Sequence, residues 1–207
     1  MVLLPALVCV AIASGTEPPV SPTAAVLTGA SAPGSWDAGV AVGYPWTRVR
    51  VQHGLPGGWT HFLEADTALF TRWRPAVGIS LPWIDRRWRL SGEATLGWLE
   101  QTGTLAERGP SGSLAVRLGR TRGRVVPYLH AGTEHTLLMD RVRVDTADGV
   151  VVEDTARHGW TLTGAMGVGV ALGSSWGLDV GLDLPWINVP KPSIPGVHLA
   201  LQLGGGR

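Results

Sequence analysis

The residues of this chain that could do chemistry are few and scattered. Glu134, His135, Asp140, Asp154 and His158 fall in two neighbouring segments, where an imidazole beside a carboxylate could serve as a general base. Strand alternation, however, puts His135 on an apolar face, and no motif supplies a nucleophile at a defined spacing. The six histidines, His53, His61, His130, His135, His158 and His198, form no HxH or HxxxH cluster. His130 and His135 are five apart and so lie on opposite faces of a strand, which disfavours a shared metal. The lone cysteine, Cys9, sits in an apolar leader, so the remaining chain has no thiolate for metal, disulfide or nucleophilic chemistry. The Gly-rich run 164–173 lacks the lysine of a phosphate loop. No catalytic, cofactor or metal site is expected.

What remains is a set of charges on one side of a regular pattern. In 87–99, RWRLSGEATLGWL, residues Trp88, Leu90, Gly92, Ala94, Leu96 and Trp98 share a face, while Arg87, Arg89, Ser91, Glu93 and Thr95 share the other. In 176–186, WGLDVGLDLPW, Trp176, Leu178, Val180, Leu182, Leu184 and Trp186 stand opposite Gly177, Asp179, Gly181 and Asp183. Period-two alternation of this kind makes a strand with one apolar and one polar face. The same rule yields ten strands near 36–44, 46–55, 58–70, 73–83, 87–99, 112–120, 124–140, 150–172, 175–186 and 196–204, with eight as the alternative count. Turn residues at Pro45, Pro56-Gly57-Gly58, Asp85-Arg86, Thr121-Arg122-Gly123, Ala147-Asp148-Gly149 and Ser174-Ser175 separate them.

Tryptophan placement decides which face meets what. The chain has ten Trp against two Tyr and two Phe. Trp36 and Trp46, Trp73 and Trp83, Trp88 and Trp98, and Trp176 and Trp186 are each ten apart, an even spacing that puts both members on one face. Ten strand residues span roughly 33 Å, and a tilt near 40° projects this to about 25 Å, the height of an outer-membrane apolar band. Indole suits the two edges of that band because its ring is apolar and its N–H reaches water. With Trp59 and Trp160, these residues read as two membrane-interface girdles. A soluble ligand-binding barrel would instead turn the apolar face inward.

The enclosed polar face is then expected to hold Arg48, Arg50, Glu64, Asp66, Arg87, Arg89, Glu93, Arg117, His130, Glu134, Asp179, Asp183 and His198, with Gln52 and Gln202. Such charges must pair or be hydrated. Arg87, Arg89 and Glu93 on one strand and Asp179 and Asp183 on another are candidates to pair across the lumen. A salt-bridged plug is favoured over a narrow polar pathway, because side chains fill small barrels.

Residues 1–15, MVLLPALVCVAIASG, read as a signal peptide cut near Ser14–Thr16, although no Lys or Arg precedes the apolar run. Residues 16–35, rich in Pro, Ser, Thr and Ala, read as a flexible periplasmic arm, and 36–207 as the barrel. With the amino terminus in the periplasm, the longer connections 100–111, 141–149 and 187–195 all fall on the outer side, as outer-membrane barrels require. Lys plus Arg number 17 and Asp plus Glu 16, too balanced for a nucleic-acid partner.

The Trp36–Arg207 region resembles the small outer-membrane barrels of Gram-negative bacteria, the broad OmpA-, OmpX- and OmpW-like group. The resemblance implies an all-β, antiparallel transmembrane barrel in contact with outer-membrane lipid and lipopolysaccharide and inserted by the barrel-assembly machinery. Such proteins usually end on an aromatic residue, whereas this sequence ends Leu203-Gly204-Gly205-Gly206-Arg207. A structural or interaction role is expected, with limited passive solute passage. The alternatives are an outer-membrane hydrolase with a rim site at His135 and His158, or a soluble small-ligand barrel. Oligomeric state has no signature in the sequence.

Overall fold

The computed structural model describes residues 21–44, 46–68, 72–101, 108–146, 149–188 and 196–206. Side chains are described for these except at 68, 140–146, 149–154, 184–188 and 205–206. The expected signal peptide, the first residues of the expected arm, half of the loop 100–111, most of the loop 187–195, and the side chains of Asp140, Asp154 and Trp186 therefore lie outside the described residues.

Ten strands form one closed sheet: β1 (Trp36–Tyr44), β2 (Trp46–Gly54), β3 (Thr60–Ala68), β4 (Arg72–Asp85), β5 (Trp88–Gln101), β6 (Arg108–Arg120), β7 (Val125–Thr146), β8 (Gly149–Ala171), β9 (Trp176–Asn188) and β10 (Gly196–Gly206). Each pairs antiparallel with its sequence neighbour, and β1 pairs with β10 to close the barrel. The eight-strand alternative is thereby excluded. Closure leaves no edge strand in the barrel wall, which matters for a sheet whose outside is apolar.

The wall is inverted relative to a soluble protein. Leu96 is 72% exposed and Val180 60%, and Leu63, Val77, Leu114, Val197 and Leu199 are comparably open. Inside, Gln52, Ser80, Ser91 and Gln202 are fully buried, and the charged residues Arg50, Glu64, Arg89, Glu93 and Asp179 are buried. An apolar exterior around a polar interior fits lipid outside and excludes the soluble-carrier arrangement.

Trp36, Trp83, Trp88 and Trp176 are exposed at one end of their strands, beside Trp59 in the 55–59 turn; Trp73, Trp98 and Trp160 are exposed toward the other. Trp46 departs from expectation. Parity reverses between β1 and β2, so Trp36 points out of β1 while Trp46 points into the barrel and lines its lumen. Those two tryptophans do not share a face.

The two barrel ends differ. One carries the short connections 55–59, 86–87, 121–124 and 172–175, and is called the turn end here. At the other, the loop end, β7 and β8 outrun their neighbours. β6 begins at Arg108 opposite Met139, and β9 ends at Asn188 opposite Thr161, yet β7 and β8 stay paired to Thr146 and Gly149. The expected loop 141–149 is therefore mostly a projecting two-stranded ribbon.

The expected flexible arm is also corrected. Pro22–Thr28 form a helix, α1, and all seven residues are buried. Ser21 caps its start, accepting from the Ala24 amide at 3.2 Å, and Pro22 takes the first helical position, where its missing N–H costs nothing. Gly29 ends the helix in the left-handed conformation (φ 66°). The chain then runs to β1 through Gly34 N–H to Gly54 O at 2.9 Å and Gly54 N–H to Ser35 O at 3.0 Å.

Candidate functional site

Among the described residues, the buried charged side chains converge on the lumen, and α1 occupies its turn end. The strands make room for the helix with glycines. A Cβ on Gly39 would sit 2.8 Å from Val26 Cγ1, and one on Gly119 2.6 Å from Thr28 Cγ2. Gly169 and Gly177 lie against Thr23 just as closely. Ala24 and Leu27 pack against Val126, Tyr128 and Ala165.

The last turn of a helix leaves carbonyls without intrahelical partners and carries a partial negative charge. Lumen side chains meet both needs. Gln52 Nε2 donates to Ala25 O at 2.8 Å, Ser91 Oγ to Thr28 O at 2.9 Å and Arg89 Nη2 to Gly29 O at 3.0 Å. Arg117 Nη1 approaches the carbonyls of Val26 and Leu27 at 3.4 and 3.5 Å. Arg89 also donates to Gly58 O at 2.7 Å and pairs with Asp85 at 2.9 Å, so it fastens the helix to a turn.

Above the helix an ionic ladder crosses the barrel. Arg50 grips Glu93 through two bonds of 2.6 and 3.2 Å, and Arg117 Nε holds the same carboxylate at 2.7 Å. Arg50 continues to Gln52 at 3.0 Å and to Glu64 at 3.5 Å, with its guanidinium 3.5 Å above the Phe62 ring. Arg74 joins Glu64 at 3.2 Å, Asp66 at 2.8 Å and Glu134 at 3.3 Å, and Arg72 reaches Glu134 at 3.1 Å. Alternating signs and multiple hydrogen bonds per ion are what make buried charges tolerable.

A second cluster stands on the opposite wall. His198 lies between Asp183 (Nδ1 to Oδ2, 2.8 Å) and Asp179 (Nε2 to Oδ1, 3.2 Å). Tyr128 donates its hydroxyl to Asp179 at 2.9 Å, and Gln202 Nε2 donates to the other Asp179 oxygen at 2.7 Å. Gly167 and Gly181 make space for Tyr128 and His198. Inward Gly167 thus makes room for Tyr128, and inward Gly169 for the helix.

Most expected lumen residues are therefore inside, but their partners differ from expectation. Glu93 binds Arg50 and Arg117, while Asp179 and Asp183 bind His198, Tyr128 and Gln202; the two strands do not pair with each other across the barrel. Arg87 is a correction: it is exposed in the turn between β4 and β5, one residue short of the strand. Arg48 faces inward but is half-exposed, holding Glu64 only at 3.7 Å. Arg72, Arg74 and Tyr128 were not expected. Arg74 could have been found, since it has opposite parity to outward Trp73.

Among the described side chains, the rim residues do not assemble the acid–base site of the hydrolase alternative. Glu134 turns inward to Arg72 and Arg74, whereas His135 faces outward. There His135 Nε2 meets His158 Nδ1 at 2.9 Å, with Trp160 packed 4.4 Å from the His135 ring. Among the described residues no group of three metal-ligating side chains occurs.

Between ladder and second cluster lies a cavity of about 80 Å³, reaching from Val26 and Leu27 of α1 toward Trp46 at the loop end. With this geometry established, comparison with known proteins finds one kind of likeness. The chain is similar to barrels and porins. The N-terminal β-barrel domain of Pseudomonas aeruginosa OprF matches at 12% identity over 83% of this chain and 96% of that one, with a TM-score of 0.36. The KdgM porin, solved in complex with disordered oligogalacturonate, matches at 10% over 82% and 98%, with a TM-score of 0.42. The NanC porin matches at 11% over 82% and 97%, with a TM-score of 0.38. No protein-family model and no curated protein matches. At these identities and scores the likeness is to a barrel and to no site.

Proposed function

We propose that this chain is an outer-membrane β-barrel whose lumen is closed by its own helix, acting in a structural or interaction role rather than as an open pore. The observation that carries this reading is α1. A buried seven-residue helix sits in glycine cradles on several strands, with its carbonyl end held by Gln52, Ser91, Arg89 and Arg117. The exposed apolar wall supports a lipid surround, and the tryptophans near both of its edges support interfacial anchoring. In this reading the turn end faces the periplasm, the ribbon of β7 and β8 projects outward among lipopolysaccharide, and the barrel-assembly machinery inserts the chain.

Slow solute passage is the second reading. The cavity favours it, because α1 and the Arg50–Glu93–Arg117 cluster are then the barrier below an opening at the loop end. Cell fractionation and liposome swelling test the proposal together. The protein should be recovered with outer membranes, need detergent for extraction, and leave liposomes nearly impermeable to small sugars. Recovery as a detergent-free monomer would overturn the membrane assignment; rapid swelling would overturn the closed lumen.

A further inference from the structure

The lumen cavity is lined by groups of both signs. Arg48 and Arg50 reach it from β2, Arg117 from β6 and His130 from β7; Asp179 and Asp183 reach it from β9, Tyr128 from β7, and His198 and Gln202 from β10. The space exists because small residues occupy the closing seam: Ala41 of β1 is directly paired with Ala200 of β10, and both line the cavity with Gly39 and Ala165.

The acidic groups have little left to offer a ligand. Asp179 already accepts from Tyr128, Gln202 and His198, and Asp183 is held by His198 through Oδ2. A cation entering here would find Asp179 engaged at both oxygens and Asp183 at one. The basic groups are different. Arg48 holds Glu64 only at 3.7 Å, beyond hydrogen-bond reach, and its Nε has no partner. Its side chain is 36% exposed, so it can meet a solute coming from the loop end. His130 also faces the cavity without a hydrogen-bond partner among the described residues. One acceptor is vacant as well. Gln202 is fully buried, its Nε2 is committed to Asp179, and its Oε1 has no partner. A buried acceptor left without a hydrogen bond is unfavourable, so a ligand donor that satisfies it is favoured.

We propose that this cavity binds a small hydroxycarboxylate entering from the loop end. Its carboxylate is held by Arg48 and His130, and its hydroxyl is donated to Gln202 Oε1. A guanidinium is well suited to a carboxylate because its N–H groups form charge-assisted, often paired hydrogen bonds. The volume, about 80 Å³, restricts the ligand to an acid of a few heavy atoms. The inference requires the barrel to form but not its lumen to be impermeable, so a failed conductance test and a failed binding test are separate results.

The experiment uses the full chain refolded in detergent, with sodium glycolate as probe and saturation-transfer NMR and calorimetric titration as readouts. Acetate, which lacks the hydroxyl, glycerol, which lacks the charge, and choline, a cation, are the comparison solutes. Glycolate should bind saturably and acetate several-fold more weakly; glycerol and choline should show no binding. Arg48→Gln removes the donors, and Ala200→Leu fills the space from β10. Each should weaken glycolate binding at least tenfold while heat-modifiable mobility stays that of the wild type. Where Ala200→Leu does not refold, Ala41→Leu fills the same space from β1. Absence of saturable glycolate binding would overturn the proposal. So would undiminished binding in both refolded variants, or choline binding as well as glycolate. Acetate binding as tightly as glycolate would overturn the hydroxyl contact to Gln202.

Discussion

Glu93 is the residue on which the ladder and the helix both depend, and Glu93→Gln is the sharpest perturbation of the account. The wild-type carboxylate takes two bonds from Arg50, at 2.6 and 3.2 Å, and one from Arg117 at 2.7 Å. Arg50 would keep Gln52 at 3.0 Å and Glu64 at 3.5 Å. Arg117 would keep only the Val26 and Leu27 carbonyls, at 3.4 and 3.5 Å. The loss therefore falls mainly on Arg117, a buried cation without a counter-charge in direct contact. Removing one partner of a buried ion pair costs about 3–5 kcal/mol. The neighbouring cavity of about 80 Å³ can admit waters to the stranded guanidinium, which points to the lower end, near 3 kcal/mol. Removing both charges in Glu93→Gln/Arg117→Gln should recover at least half of that loss, since no bare ion remains. Urea unfolding of the refolded barrel, followed by heat-modifiable mobility, measures both. A single-mutant loss below about 1 kcal/mol, with no recovery in the double mutant, would refute the claim that this buried pairing stabilises the barrel.

The remaining predictions address wall, cradle and cluster. Val180→Arg places a charge on the exposed wall and should cost roughly 2–4 kcal/mol if it lies near the membrane midplane; a neutral effect in lipid would mean the wall does not face hydrocarbon. Gly177→Val pushes a side chain into Thr23 of α1, so limited proteolysis should cut within residues 21–31 of the variant and spare the wild type. Gly181→Ala would bring a Cβ within 2.7 Å of the His198 ring and as close to the Tyr128 hydroxyl. It should lower stability by about 1–3 kcal/mol through overpacking of the Asp179–Tyr128–His198 cluster, and an unchanged urea midpoint would count against that close packing.

What the sequence discloses here follows from which physics is local. Strands β5 and β9 are legible because alternation is a property of consecutive residues, and Leu178, Val180 and Leu182 do face outward while Asp179 and Asp183 face inward. Trp46 misleads because parity shifts between β1 and β2, and spacing counted from one strand into the next loses its meaning. The helix is hidden for another reason. Residues Pro22–Thr28 are buried all round, so no amphipathic period marks them. Its punctuation is nonetheless present, with Ser21 as cap, Pro22 at the first position and Gly29 at the end. Lumen pairing is not local at all. Arg50 and Glu93 are 43 residues apart and meet across the barrel through its closure, which no strand-by-strand reading supplies.

The central claim is that α1 closes the lumen, and planar-bilayer recording tests it most directly. The wild-type barrel and a variant lacking Pro22–Thr28 would be compared in the same lipid and salt, each after its heat-modifiable mobility has shown it to be folded. The account predicts almost no steady conductance from the wild type and stepwise channel openings from the variant, because the turn end then has no helix to fill it. Large, steady wild-type conductance that is unchanged by removing the helix would contradict it.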